Sequence, residues 1–309
     1  QCLRYLRSGF QLGREHGLTT TDWWDAPTMS QLCEIALAND IERQHVCGII
    51  EKARLQPCLK ADLSVDWPWP VRIEVLGHFR LTVQGEAVSG QTKSQRKVLE
   101  LIKALIALGG KRVSAVRLAD AVWPDAEGDD ARNALKTTIH RLRKLLGVSE
   151  AIELKDGFLS ISTRYCWVDA LVYNSLAKTP RSSADRIANL RQALKLYQGP
   201  LLADEENLPW MIAPRAHLQK TAHKIVMELG VRHEGRRRWN KAIRVYRQGL
   251  DTDPIDEQIC RHLMQSYQQS GRYEAAIDTY EQCCSALKAQ VARSPSAKTR
   301  LLAESITHA

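Results

Sequence analysis

The stretch DDARNALKTTIHRLRKLLG, residues Asp129–Gly147, carries three arginines and two lysines beside an unbroken apolar seam. At 3.6 residues per turn, Leu135, Ile139, Leu142 and Leu146 fall on one stripe, with Ala131 and Thr138 beside it. Arg132, Asn133, Lys136, Thr137, His140, Arg141 and Lys144 fall on the other side, with Arg143 on the flank. No acidic residue follows Asp130 before Gly147. A merely solvated helix gains from mixed signs at i,i+4, so a polar face of one sign implies an anion outside the helix. Asp129 or Asp130 caps the start, where the macrodipole favours negative charge, and Gly147 stops the helix.

Working outward, two further helical patterns precede this one. They are SQRKVLELIKALIAL, capped by Ser94 and stopped by Gly109-Gly110, and SAVRLADAVW, capped by Ser114 and stopped by Pro124. Before them, Val71, Ile73 and Val75 alternate with Arg72 and Glu74, and Phe79, Leu81 and Val83 repeat the alternation up to the Gln84-Gly85 turn. This predicts a small antiparallel sheet. After the basic helix, AIELKDGFLSIS reads as two short strands around Lys155-Asp156-Gly157, because Asp-Gly favours a two-residue hairpin turn. Strands, three helices and a hairpin in this order make a winged helix-turn-helix. The major groove of B-DNA accepts one helix, and Arg, Lys, Asn and Thr can read base edges there. The candidate DNA-binding residues are therefore Arg132, Asn133, Lys136, Thr137, His140, Arg141, Arg143 and Lys144, with Lys155 at the wing tip. Backbone N–H groups at the helix start near Ser94 would hold phosphates.

From about Ser182 the chain is helical and repeats itself. Setting RRWNKAIRVYRQGL over GRYEAAIDTYEQCC aligns Trp239 with Tyr273, Ala242 with Ala276, Ile243 with Ile277 and Tyr246 with Tyr280, an offset of 34 residues. That is the tetratricopeptide period. Small alanines there let paired helices approach and aromatics fill the groove, while Pro254 ends the first repeat. IANLRQALKLYQGPLL and PRAHLQKTAHKIVMEL supply the flanking helices. Upstream, TMSQLCEIALAND and IERQHVCGIIEKARL place Leu32, Ile35, Ala36 and Val46, Ile49, Ile50 at helical spacing, and Pro68 and Pro70 mark a boundary. The expected fold class is mainly α with a small β component. Its expected domains are the end of a helical array plus linker (1–66), a winged helix-turn-helix (71–172) and a tetratricopeptide-like domain (182–304).

The whole chain, 309 residues with a formal charge of +9, is long enough for several cores and suits a polyanionic partner. No stretch is apolar for long enough to span a membrane. The start lacks an initiator Met and a signal-peptide pattern, and reads as the C-terminal piece of a longer protein. The eight cysteines form no CxxC pair and read as free thiols of a reducing cytoplasm. The nine histidines are scattered, and all but His140 read simply as surface or half-buried residues. GGKRVS lacks the glycine cradle of a nucleotide loop, and no GxSxG, HExxH or GxGxxG is present. No enzyme, no cofactor and no metal site is expected.

The run RLADAVWPDAEGDDARNALKTTIHRLRKLLG, followed by ELKDGFLSIS and VDALVYNSL, resembles the winged helix of the OmpR/PhoB response-regulator type found in bacterial SARP-like activators. The part from Ala184 to about Leu302, with ALKLYQGPLL and GRYEAAIDTYEQCC, resembles the bacterial transcriptional activator domain, and the preceding junction is similar to that of large STAND-type regulators. The resemblance places the recognition helix on Asp129–Leu146 and the wing on Ile152–Ile161. It implies a cytoplasmic, sequence-specific transcriptional activator that binds double-stranded DNA. The partners it implies are RNA polymerase, a second protomer on DNA, and upstream ATPase and sensor domains. The competing expectation is a protein-interaction scaffold whose winged helix does not bind DNA. Such a helix would expose aromatic or aliphatic anchors, and this one exposes cations.

Overall fold

Alternating apolar residues from Val71 build β1 (Val71–Glu74), whose Val71 and Ile73 are buried while Arg72 and Glu74 face partly outward. β1 pairs antiparallel with β2 (Arg80–Val83), Ile73 opposite Leu81, and β2 with β3 (Glu86–Ala87). The two-residue turn is left-handed at Gln84 (φ 50°) and Gly85 (φ 86°), the twist a tight hairpin needs. The sheet is mixed rather than purely antiparallel. β7 (Cys166–Val168), nearly a hundred residues later, adds parallel to β1 with Val71 opposite Cys166, giving the order β3-β2-β1-β7.

The computed structural model describes residues 2–19, 25–58, 66–88, 93–126 and 128–308, without the side chains of Lys93 and Ser94. The chain divides into two units, residues 1–74 with 80–172, and residues 75–79 with 173–309.

In the first unit, α1 (Cys2–Glu15), α2 (Ala26–Ala38) and α3 (Arg43–Lys52) pack together. Asp25 caps α2 by accepting from the Thr28 N–H at 3.0 Å. Val46, Ile49 and Ile50 of α3 are buried as expected, but on α2 the inward face is Cys33, Ala36 and Leu37. Ile35 is 41% exposed, because the buried stripe is centred one residue later than Leu32-Ile35-Ala36 suggests.

Three helices follow, α4 (Lys93–Ala107), α5 (Ala115–Val122) and α6 (Gly128–Leu146). Leu101, Ile102 and Leu105 of α4, Leu118 and Val122 of α5, and the α6 stripe form one buried core. α4 starts at Lys93, so Ser94 lies inside its first turn instead of capping it, and the Ser94 side chain lies outside the described residues. Ser114 sits at the α5 N-cap position but makes no side-chain cap bond. Its backbone is extended because it belongs to β4 (Val113–Ser114), which pairs with Phe158 and Leu159. The hairpin strands β5 (Ile152–Lys155) and β6 (Phe158–Ile161) complete a three-stranded wing, order β4-β6-β5, turning at Asp156 (φ 52°) and Gly157 (φ 77°).

The unit boundary falls inside α7 (Asp169–Ala177). Beyond it come α8 (Arg186–Leu196), α9 (Pro209–Glu234), α10 (Trp239–Thr252), α11 (Glu257–Gln269), α12 (Tyr273–Val291) and α13 (Ala297–Thr307), each of them packed on the next. α9 begins at Pro209, a favourable first-turn proline, so the stretch starting at Pro214 is interior and not a helix start. The 34-residue repeat is the α9–α10 turn with α10 set over the α11–α12 turn with α12. Ala242, Ala276 and Tyr246 are fully buried. Gly230 of α9 admits the Tyr246 ring, where a Cβ would lie 2.2 Å from it. Asp256 caps α11 through the Gln258 and Ile259 N–H groups, and Glu257 accepts from Ser296 and Thr299 to fix the start of α13.

The segment 75–79 belongs to this unit by its hydrogen bonds. Leu76 bridges Leu201, the Val75 carbonyl accepts from the Leu202 N–H (2.8 Å), and Gly77 donates to Pro200 (3.0 Å) and accepts from Ala203 (2.8 Å).

Candidate nucleic-acid interface

α6 buries Ala131, Leu135, Thr138, Ile139, Leu142 and Leu146 against α4 and α5, and this fixes what its other side presents. Thr138 satisfies its hydroxyl by donating to the Ala134 carbonyl at 2.7 Å, so a polar residue is tolerated in the seam. Arg132, Asn133, Lys136, Thr137, His140, Arg141 and Lys144 are all exposed. The helix begins at Gly128, so Asp129 and Asp130 occupy its first turn and neither is the cap. They remain where the macrodipole favours carboxylates, with Asp129 3.9 Å from Arg132 in a solvated pair of little energetic weight.

Arg143 differs from its neighbours. It is half-buried, and its Nε and Nη2 donate to the Ile152 carbonyl at 3.0 and 2.8 Å, tying the end of α6 to the first residue of the wing. Lys155 is exposed at the hairpin and lies opposite Phe158.

The wing is more basic than its own sequence implies. Arg112, a residue before β4, lies with its guanidinium carbon 4.8 Å above the Phe158 ring, and its backbone N–H donates to the Ser160 hydroxyl at 2.9 Å. Lys111 and Arg112 are exposed, and Arg112 holds a left-handed backbone (φ 50°). Sequence reasoning missed Arg112 because its partner ring lies 46 residues further on; the signal available was KR directly after the helix-ending glycines. Arg164, after the wing, lies 5.5 Å from the Tyr165 ring.

Among the described residues no group of three His, Cys, Asp or Glu side chains is placed to hold a metal ion. Three of the histidines are engaged with carboxylates, His223 with Asp256, His262 with Glu234 and His78 with Asp204. His233 is buried rather than half-buried. Desolvation, with Arg191, Lys241, Arg238 and Arg236 nearby, holds it below the ordinary imidazole range. The cysteines are free, and burial pushes the Cys166 and Cys33 thiols up to about 12, which makes them poor nucleophiles. No helix of the described residues is long and apolar enough to cross a membrane.

Residues 90–157 match the family model described as "Transcriptional regulatory protein, C terminal", and residues 168–307 match "Bacterial transcriptional activator domain". The regulatory protein AfsR of Streptomyces griseus is 26% identical over 223 residues, which cover 68% of this chain and 22% of that protein. The AfsR protein of Streptomyces coelicolor is 30% identical over 139 residues, 43% of this chain and 14% of that protein. The chain thus spans less than a quarter of the length of these relatives. A solved structure of Mycobacterium tuberculosis EmbR, determined in complex with a low affinity phosphopeptide, aligns at TM-score 0.52 with 21% identity, covering 78% of this chain and 65% of that one. At that identity the likeness is one of fold.

Proposed function

Because this chain is a transcription regulator that joins an OmpR/PhoB-type winged helix to a bacterial transcriptional activator domain, the pairing of SARP-type regulators, we propose that it activates transcription by sequence-specific binding to double-stranded DNA. In this reading α6 enters the major groove, with Asn133, Lys136, Thr137, His140 and Arg141 toward base edges and Arg132 and Lys144 toward phosphates. Lys155 and Arg112 follow the neighbouring backbone from the wing, and Arg143 acts by holding the wing against α6. The helical repeats contact RNA polymerase and a second protomer on DNA, and upstream ATPase and sensor domains control the full-length protein in the cytoplasm.

One observation carries the proposal: seven exposed polar residues on α6, four of them permanently charged cations, stand opposite a fully buried apolar stripe. Protein-binding helices bury aromatic or aliphatic anchors in their partners, and this exposed face has none.

Anisotropy titrations against genomic fragments test it. Specific fragments should bind well below the ~10⁻⁴ to 10⁻⁶ M of non-specific association. Lys136→Ala or Arg141→Ala should weaken a specific site by about 1 to 3 kcal/mol where the side chain reads a base. Uniform weak binding to every fragment would leave the scaffold reading in its place.

A further inference from the structure

The two tetratricopeptide-like repeats share one backbone plan, so each is a control for what the other needs. At Arg236, Arg237, Arg238, Lys241, Arg244 and Arg247 the first repeat has six cations, all exposed. The second repeat has Ser270, Gly271, Arg272, Ala275, Asp278 and Glu281 at the same positions, one cation and two carboxylates. The architecture therefore does not require the charge. The turn makes the point again: its left-handed position is a glycine in the second repeat (Gly271, φ 74°) and an arginine in the first (Arg237, φ 50°). A side chain is tolerated there only at a conformational cost that glycine avoids.

Neighbouring carboxylates do not neutralise this face. Glu234 is turned to His262 (3.1 Å) and Glu228 to Arg186 (2.7 Å). Arg244 and Arg247 line an open groove with Arg272 and Asp251, three guanidinium groups to one carboxylate.

We propose that the helical domain carries a second contact for the DNA phosphate backbone, on the exposed basic face formed by the α9–α10 turn and α10. This rests on the DNA-binding reading of the winged helix and extends it to a part of the chain assigned to protein contacts. An acidic protein partner is disfavoured, because among the described residues no large apolar side chain is exposed on the α9–α10 turn or α10 to anchor one; the exposed Val231 and Tyr273 flank this face from α9 and α12. A phosphate chain needs no apolar anchor and is held by long cations. Along α10, Lys241, Arg244 and Arg247 rise in steps of about 4.5 Å, a row suited to following a strand.

The test transplants the second repeat's residues into the first: Arg237→Gly, Lys241→Ala, Arg244→Asp and Arg247→Glu. Each has a precedent at the equivalent position of this fold. Binding to a long random-sequence duplex is measured as a function of salt, with the thermal midpoint as folding control. Should the transplant fail to fold, Lys241→Gln with Arg244→Gln and Arg247→Gln gives the same readout. The log–log salt slope is expected to shrink by about 0.9 for each phosphate no longer neutralised, roughly 3 in all, with about tenfold or greater weakening at moderate salt. An unchanged slope and affinity overturn the proposal. So does a variant that keeps its DNA binding and instead loses binding to polyglutamate, which would make the occupant an acidic protein. A Lys136→Ala, Arg141→Ala variant separates the two readings. If it leaves binding to specific sites intact, the winged-helix reading fails, whereas the repeat transplant reports on this face alone.

Discussion

Arg143 follows Lys136 by two turns on nearly the same side of α6, yet the wing's first residue covers it and takes both its Nε and Nη2 donors. Arg143→Gln should therefore lower the urea-unfolding stability of the first unit by about 1 to 2 kcal/mol, since the carbonyl of the buried Ile152 loses its charge-assisted bond. Its effect on the DNA salt slope should be smaller than that of Lys144→Ala. Lys136→Ala in turn should leave stability within about 0.5 kcal/mol, as expected for an exposed site. An Arg143→Gln protein with the wild-type midpoint would mean that the bond to the carbonyl is dispensable. The α6 stripe was legible in the sequence because every one of its residues repeats at helical spacing. The role of Arg143 was not, because its acceptor is a backbone carbonyl nine residues away, and neither was Arg112, whose aromatic partner is set by the wing's strand pairing.

At the level of elements, long periodic segments were readable and short ones were not. β4 is two residues and β7 three, too short to show any alternation, and both owe their pairing to strands far along the chain. The α2 face differs from the sequence pattern for a related reason: Ile35 fits a local pattern that tertiary packing overrides. The 34-residue repeat, by contrast, foretold the buried Ala242, Ala276 and Tyr246. Its tightest requirement lies in α9, outside the aligned stretch. Gly230→Ala would bring a Cβ to 2.2 Å from the Tyr246 ring, so either the ring or the α9–α10 spacing must move. The expected loss is about 1 to 3 kcal/mol, read as a lower thermal midpoint of the second unit. Gly230→Ala with Tyr246→Phe would recover little of it, because the ring carbons Cε1 and Cζ are as close as any atom.

Across the whole molecule, half-buried ion pairs tie stability to pH. Arg186 holds Glu228 by two bonds of 3.0 and 2.7 Å, and the paired guanidinium keeps that carboxyl below its ordinary value of 4.5. A depressed folded value means the contribution is fully present above about pH 4.5 and is lost as pH falls through the lower folded value. Glu228→Gln should remove that part of the acid dependence, and should cost about 1 to 2 kcal/mol near neutral pH, where Arg186 keeps only its carbonyl partners. Chemical unfolding between pH 3 and 7, about the titration range of carboxylates, reads both effects. Parallel curves for the two proteins would refute the assignment.

The short loop 75–79 also bears on how the chain can be dissected. Cutting at the apparent boundary, after residue 172, yields a fragment that lacks the partner of Leu201 and leaves the Leu202 and Ala203 amides and the Pro200 carbonyl without their acceptors and donor. Such a fragment should melt earlier than the same unit in the intact chain, and a synthetic peptide spanning residues 70–80, added in trans, should raise its midpoint in proportion to occupancy. Each unit is contiguous in space but not in sequence, so a recombination or truncation that respects the linear order of the domains removes the bridging segment 75–79 from the second of them.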